Sequence, residues 1–103
     1  MGEQNVIVEK SKAFAVRTIR LYQYLISDKN EYVLSKQLLR SGTSIGANVK
    51  EAIRGQSKAD FSAKMNIALK EASETEYWLE LLFDTDYLSR SQFDSKKMIV
   101  SNC

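Results

Sequence analysis

A row of basic residues recurs along the middle of the chain at a spacing that suits phosphate binding. The row follows Lys36, Arg40, Thr43, Ala47, Lys50 and Arg54, and four of these six residues are cations. Its alternating steps of four and three residues are the period of one helix face, and Glu51 is the only acid between its first and last members. Cations aligned in this way favour an anionic partner, and the phosphates of a nucleic acid are the obvious candidate.

A second basic row lies nearer the amino terminus. Lys10, Arg17 and Arg20 share a helix face with Tyr24. On nucleic-acid-binding surfaces cations contact phosphates while aromatic rings stack on unpaired bases. Amphipathic helices also carry solvated charge on such faces, so a plain solvated surface remains the alternative. The predicted nucleic-acid-binding residues are Lys10, Arg17, Arg20, Lys36, Arg40, Lys50 and Arg54.

Catalytic and metal-binding groups are scarce in this sequence. The chain has no histidine, which is the commonest general base and the commonest zinc ligand, and its single cysteine is the last residue. Four glutamates, Glu71, Glu74, Glu76 and Glu80, lie close together, but carboxylate metal sites in helix bundles also use Glu-x-x-His pairs. We therefore expect no catalytic residue, no metal site and no cofactor.

Charge is distributed unevenly along the chain although the net charge is only +2. Between residues 10 and 70, twelve cations face four anions, whereas between 71 and 94 seven anions face one cation. Such a molecule can bind an anionic polymer or associate with copies of itself through opposite charges.

Length and composition predict one all-helical domain spanning residues 1–103. The chain has 103 residues, 44% of them hydrophobic, with four glycines and no proline, so few residues break helices. No apolar run is long enough to cross a bilayer, and the amino terminus lacks the order of a signal peptide. We expect a cytoplasmic protein with no membrane partner.

Hydrophobic periodicity divides the chain into four helices that position the basic rows. The predicted helices cover 8–27, 31–55 and 58–83, followed by a short fourth helix after Ser89. The third has the clearest pattern, because its apolar positions repeat in steps of four and three. These positions are Phe61, Met65, Ala68, Ala72, Thr75, Leu79 and Leu82. The fold expected is an antiparallel up-and-down four-helix bundle.

Capping residues predict where three of these helices begin. Asp28 or Asn30 is placed to cap the second helix. Ser57 with Asp60 resembles a capping box at the third helix, and the stretch from Ser89 to Gln92 has capping-box spacing for the fourth.

Gly42 and Gly46 leave two interpretations of the second helix. The helix can continue through both, although each glycine costs about 1 kcal/mol relative to alanine. Small residues there would let another helix approach closely, and Asn48 would form a hydrogen bond across the interface. Alternatively, the helix breaks near Gly42 and restarts with Thr43 or Ser44 as its cap.

Polar and aromatic side chains beside the apolar stripes predict two further features. Lys64 and Glu71 are two turns apart on the third helix and must find partners elsewhere. The predicted polar network between the second and third helices is Ser41, Ser44, Asn48, Glu51, Lys64 and Glu71.

The third helix also has more apolar surface than one short bundle covers, which predicts an oligomer interface at Tyr77, Trp78 and Leu81.

Long ordered motifs give the sequence a family resemblance. They are LSKQLLRSGTSIGAN at 34–48, EA at 51–52, ADF at 59–61, ALKEA at 68–72 and ETEYWL at 74–79. They resemble the four-helix-bundle proteins encoded in intervening sequences of bacterial 23S ribosomal RNA genes, to which the accessory subunit of diversity-generating retroelements is similar. The chain departs from the family pattern at its end, where the fourth helix is cut short.

The resemblance implies an antiparallel bundle that assembles as a homopentamer, with nucleic-acid binding as an expectation. Within it, ten residues match motif positions: Arg40, Ser41, Ser44, Asn48, Glu51, Lys64, Glu71, Glu74, Tyr77 and Trp78. The leading hypothesis is a non-enzymatic, homo-oligomeric protein that binds structured RNA or DNA through a basic face. The alternative is a self-assembly or protein-interaction module without nucleic-acid binding.

Overall fold

The computed structural model describes the backbone of residues 2–101 and the side chains of residues 5–96. Within that part the chain forms four helices, and their bounds are α1 Gly2–Ser27, α2 Leu34–Ile53, α3 Lys58–Asp84 and α4 Arg90–Ser101. The described residues include no strand. The predicted all-α class is confirmed, and α1 begins six residues earlier than its apolar pattern indicated.

The first three helices run antiparallel, each to the next along the chain, as contacts between them show. Gly42 of α2 lies against Thr18 of α1, and Gly46, later in α2, lies against Ser11, earlier in α1. The α2–α3 pair behaves in the same way, because Ser41 contacts Thr75 while Glu51 contacts Lys64. The helices together measure 43 × 23 × 20 Å, so the bundle is long and narrow.

The second helix is continuous through both glycines. A Cβ on Gly42 would lie 2.7 Å from Thr18 Cγ2, and one on Gly46 would lie 3.3 Å from the Ser11 carbonyl oxygen. The interpretation with a continuous helix is therefore confirmed. The close neighbour is α1, and its approach explains why residues with poor helix propensity stand here.

Glu31 caps the second helix. Its carboxylate accepts hydrogen bonds from the backbone N–H groups of Val33, Leu34 and Ser35 at 3.1, 2.9 and 2.6 Å, although only 7% of the residue is exposed. An anion at a helix start is favoured by unpaired N–H groups and by the helix dipole.

The prediction that Asp28 or Asn30 caps α2 is therefore wrong. Asp28 instead accepts from the Ser27 hydroxyl, and Asn30 accepts from the Tyr32 hydroxyl. Asn30 has a φ of 54°, a left-handed conformation that asparagine tolerates better than most residues. Asn30 therefore turns the chain after α1, and the longer side chain of Glu31 caps α2 instead.

The other two predicted caps are present. Ser57 Oγ accepts a hydrogen bond from Asp60 N–H at 3.1 Å, which satisfies one free donor at the start of α3. At α4 the capping box is reciprocal: Gln92 N–H donates to Ser89 Oγ at 3.1 Å and Ser89 N–H donates to Gln92 Oε1 at 2.9 Å. The sequence spacing therefore located these two helix starts correctly.

The hydrophobic core lies between the facing stripes of the helices. Its buried members are Phe14, Leu21, Leu25, Leu38, Ile45, Val49, Ala68, Leu79, Leu82, Leu88 and Phe93. The α3 pattern is confirmed from Met65 onward, but Phe61 at its first position is 39% exposed. Phe61 falls within the first turn of α3.

Aromatic contacts hold the short fourth helix against α3. The rings of Phe83 and Phe93 stack with centroids 4.7 Å apart, and the guanidinium of Arg90 lies 4.9 Å from the Phe83 centroid. Leu88 and Phe93 are both buried. A helix of 12 residues is marginal alone, so this docking stabilises it and places its polar face beside α1.

Candidate nucleic-acid interface

The outer face of α2 carries exposed cations. Leu38, Ile45 and Val49 are buried. At 100° per residue, Lys36 projects from nearly the opposite side of the helix, and Lys50 lies about 120° from the buried stripe. Lys36, Lys50 and Arg54 are all exposed. Among the side chains of residues 5–96, none of these three cations has a carboxylate within 4.0 Å. Their charges are therefore available to a partner. We call these three residues the α2 cation row.

The neighbouring helix adds a lysine to this face. Lys12 and Ala15 of α1 line a shallow groove together with Thr43, Ala47 and Lys50 of α2. Lys12 was not among the predicted binding residues, because it does not share a helical row with Lys10, Arg17 and Arg20. Only the packing of α1 on α2 brings it beside Lys50.

Arg40 belongs to the same sequence row but its charge is matched within the chain. Its guanidinium pairs with Glu71 at 3.5 Å and with Glu74 more closely. Both glutamates lie on α3, so Arg40 joins the two helices. The Glu74 carboxylate also accepts a hydrogen bond from Trp78 Nε1 at 3.4 Å.

The basic row of α1 does not join the α2 cation row. Arg20 and Tyr24 line a groove against α4, and Arg17 donates a hydrogen bond to Ser95 Oγ at 3.1 Å. Lys10 is exposed and lies two turns before Arg17, on the same side of α1. The predicted set of seven cations is thus divided between two separate faces of the bundle.

The far end of the α2 cation row meets acidic groups. Arg54 shares a shallow pocket with Glu51, Asp60 and Lys64 where α2 passes into α3. Lys64 forms an ion pair with Glu51 at 3.1 Å. Nearby acidic groups therefore offset the positive charge of the row more at Arg54 than at Lys36 and Lys50.

The predicted polar network is divided into separate contacts. Ser41 and Thr75 have fully buried side chains whose hydroxyls are hydrogen-bonded at 2.9 Å, and the Thr75 hydroxyl also donates to the Glu71 carbonyl oxygen at 2.7 Å. Lys64 pairs with Glu51, and Glu71 pairs with Arg40. Each of these contacts except the one within α3 joins α2 to α3.

The two remaining members of that network bond within their own helix. Ser44 Oγ donates to the Arg40 carbonyl oxygen at 2.6 Å. Asn48 Nδ2 donates to the Ser44 carbonyl oxygen at 2.9 Å. The expected hydrogen bond from Asn48 across the helix interface is therefore replaced by a local one, a common alternative for short polar side chains in helices.

The predicted interface residues of α3 differ in exposure. Tyr77 is 52% exposed, whereas Trp78 and Leu81 are half-buried. The Tyr77 and Trp78 rings are in contact, with centroids 5.4 Å apart and planes inclined by 55°. Other exposed apolar side chains of α3 are Phe61, Ile67 and Leu69.

Metal-binding and membrane-spanning features are both missing from the described residues. No group of three or more His, Cys, Asp or Glu side chains in that part of the chain is arranged to hold a metal ion. None of the helices formed by the described residues is both long and apolar enough to cross a membrane.

Comparison with known proteins identifies the family of this chain. The profile described as 23S rRNA-intervening sequence protein matches residues 3–102. The chain is also similar to a protein of unknown function from the S23 ribosomal protein family of Bacteroides thetaiotaomicron VPI-5482, whose crystal structure was determined at 1.70 Å. The two sequences are 56% identical. The match covers 96% of this chain and 88% of that chain, with a TM-score of 0.95.

No protein of curated function matches this chain. The profile spans nearly every residue that the structure describes, and the similar crystal structure shares both its fold and more than half of its residues. The chain therefore belongs to the family of 23S rRNA-intervening sequence proteins.

Proposed function

We propose that this protein is a non-enzymatic, homo-oligomeric protein of the cytoplasm that binds structured RNA through the α2 cation row. The observation that supports the proposal is the contrast within one helix. Arg40 is paired with two glutamates, whereas Lys36, Lys50 and Arg54 have no carboxylate within 4.0 Å among the described side chains. Unpaired cations along a rigid helix suit a repeating phosphate backbone.

The family is named after 23S rRNA, so structured RNA is the first polymer to test. The α2 row consists of two lysines and one arginine, and lysine contacts phosphate as a point charge. Contacts of this kind position a protein on a backbone without reading the bases. We therefore expect binding that depends weakly on sequence and strongly on salt.

Fluorescence anisotropy of a labelled structured RNA, titrated with nuclease-treated protein at several salt concentrations, tests this proposal. Lys36→Gln/Lys50→Gln removes two cations of the row. Removal of one cation that touches a phosphate should reduce the slope of log affinity against log salt by about one unit. We expect saturable binding by the parent protein, with lower affinity and a shallower slope for the variant.

Lys58→Gln/Lys70→Gln is the matched control, because it removes two exposed cations of α3 and changes the net charge equally. Its RNA affinity should fall much less than that of the α2 variant. Equal losses of affinity in the two variants would indicate attraction by net charge alone, and absence of binding at low salt would refute RNA binding through α2.

Self-association is proposed to use the apolar side chains of α3 that lie outside the core, with Tyr77, Trp78 and Leu81 among them. Tyr77 is half exposed beside Trp78, and Leu69 is 60% exposed. Aromatic side chains of this kind are enriched in interfaces. Light scattering coupled to size-exclusion chromatography should show an oligomer for the parent and a lower mass for Tyr77→Ser, whereas Tyr32→Ser, at an exposed tyrosine before α2, should leave the mass unchanged.

These exposed apolar side chains also favour the second candidate function, an assembly module without RNA binding. In that case salt would change the oligomeric state, since basic and acidic parts of neighbouring copies would attract each other. An oligomer that persists in the Lys36→Gln/Lys50→Gln variant while RNA binding is abolished would favour the leading proposal. A protein that assembles but binds no RNA would establish the assembly module.

A further inference from the structure

A second positive site lies on the other side of α1, in the groove between α1 and α4. Its lining residues are Arg20, Leu21 and Tyr24 from α1 and Ser91, Gln92, Ser95 and Lys96 from α4. Arg17 joins the two walls by donating a hydrogen bond to Ser95 Oγ at 3.1 Å. We call this feature the α1–α4 groove. It combines cations from two helices that are far apart in sequence.

The positive charge in this groove is not neutralised by the side chains that the structure describes. Within residues 5–96, no carboxylate lies within 4.0 Å of Arg17, Arg20 or Lys96. Partial burial, and secondarily the nearby Arg17, lowers the pKa of Lys96. Like charges held together in a concave place create a local potential that attracts anions.

The polar groups of the groove suit the oxygens of a phosphate. Ser95 Oγ accepts from Arg17, so its own proton remains free to donate to a ligand oxygen. Arg20 lines the groove, and Arg17 lies beside it, bonded to the lining residue Ser95. Planar guanidinium groups such as these bind phosphate through paired hydrogen bonds. Lys96 adds a third cation, and the Ser91 hydroxyl a further donor.

The groove is held in place independently of the α2 cation row. Stacking of Phe83 on Phe93 and burial of Leu88 dock α4 against the bundle, so Ser95 and Lys96 are positioned before any ligand arrives. A site that is already formed avoids the free-energy cost of ordering its groups.

We propose that the α1–α4 groove binds the phosphate group of a small ligand, with Arg17, Arg20 and Lys96 as its cationic contacts. This chemistry is shared by the free phosphate ion and by a nucleotide. In the nucleotide case the Tyr24 ring on the same wall provides a surface for the base. The inference goes beyond RNA binding by α2, because it concerns a different face and a small molecule.

Titration of the protein labelled with 13C at lysine Cε tests the proposal through the NMR signal of Lys96. The probes are inorganic phosphate, adenosine 5′-monophosphate and adenosine, each at low ionic strength. We expect saturable shifts of the Lys96 signal with the two phosphates and none with adenosine. Tighter binding of the monophosphate than of inorganic phosphate would identify a nucleotide site, and equal binding would identify a site for the phosphate group alone.

Arg17→Gln and Arg20→Gln should each weaken phosphate binding about tenfold or more, because each removes a charge-assisted contact. Arg20→Gln is informative even if removal of the Arg17 guanidinium displaces α4, because no hydrogen bond between Arg20 and α4 is present among the described residues. Circular dichroism confirms folding of both variants.

Lys36→Gln/Lys50→Gln is the control that separates the two proposals, since it should bind RNA more weakly yet keep full phosphate binding in the groove. Absence of a saturable Lys96 shift, or identical affinities in the parent and in Arg20→Gln, would overturn the phosphate site. Neither result would affect RNA binding by the α2 cation row.

Discussion

Gly42 and Thr18 lie so close together that a Cβ added to Gly42 would stand 2.7 Å from Thr18 Cγ2. Thr18 is itself buried, and its hydroxyl donates to the Phe14 carbonyl oxygen at 2.9 Å. A β-branched side chain held in this way has little freedom to move aside. This contact sets how near α1 comes to α2.

Gly42→Ala should lower the free energy of unfolding although alanine is the better helix former. The gain in helix propensity is about 1 kcal/mol, whereas overpacking of a core contact typically costs about 1–3 kcal/mol. We expect net destabilisation of about 1 kcal/mol, measured by urea denaturation. The double variant Gly42→Ala/Thr18→Ala should lose less stability than the sum of its single changes. Additive losses would show that the clash with Thr18 is not the cause.

Thr75→Val should destabilise the protein by leaving the Ser41 hydroxyl without its partner in α3. Both residues are fully buried, with hydroxyls 2.9 Å apart. Valine has the shape of threonine, so the expected loss of about 1 kcal/mol comes from the missing hydrogen bond between the helices. Ser41 Oγ keeps only its longer hydrogen bond, at 3.4 Å, to the Leu38 carbonyl oxygen of its own helix. Denaturation of Thr75→Val, Ser41→Ala and the double variant forms a double-mutant cycle. A coupling energy near zero would contradict the interpretation.

Glu31→Ala should weaken the start of α2 because three backbone N–H groups lose their acceptor. Loss of a helix cap costs about 1–2 kcal/mol, and thermal or urea unfolding will show it. Asp28→Ala is the control, because Asp28 is exposed and accepts only from the Ser27 side chain among the described contacts. It should change stability by less than about 0.5 kcal/mol. A larger effect at Asp28 than at Glu31 would return the capping role to the residue that the sequence favoured.

Arg40→Gln should lower mainly the stability of the protein and Lys50→Gln mainly its RNA affinity, although both residues belong to one row of α2. Arg40 joins α2 to Glu71 and Glu74 of α3, so its removal should lower stability by up to about 1 kcal/mol, the value of an exposed ion pair. Lys50 has no described carboxylate within 4.0 Å, so its removal should reduce RNA affinity more and stability less. Unfolding and anisotropy measurements on both variants give the comparison. A greater drop in RNA affinity in Arg40→Gln would mean that Arg40 leaves its glutamates to bind phosphate.

Lys96→Gln should raise stability at neutral pH, and the gain should shrink as the pH rises. Burial lowers the pKa of Lys96 below the ordinary value of 10.5. Between the lowered pKa and 10.5 the folded protein therefore binds fewer protons than the unfolded chain, and stability rises with pH through this window. Urea unfolding between neutral pH and pH 10 compares the variant with its parent, and Lys70→Gln on the exposed side of α3 serves as control. A difference that grows with pH would contradict the assigned direction.

Much of the fold follows from local pattern in the sequence. The absence of proline and the steps of four and three in α3 predicted helices, and the capping motifs at Ser57 and Ser89 placed two of their starts to the residue. Both signals depend on neighbours within one turn, so they can be read without the third dimension. The Glu31 cap was missed because glutamate reaches the helix start from three residues before it, outside the usual capping position.

Tertiary structure decided which charged residues act together. The sequence determined the four-helix class and the two basic rows, whereas it left open whether the second helix breaks near Gly42 or continues through close packing. It did not show that Arg40 is paired with α3, that Lys12 joins Lys50, or that Arg17 faces α4. Helical spacing assigns a residue to a face of its own helix, but which helix covers that face depends on how the apolar stripes of all four pack together.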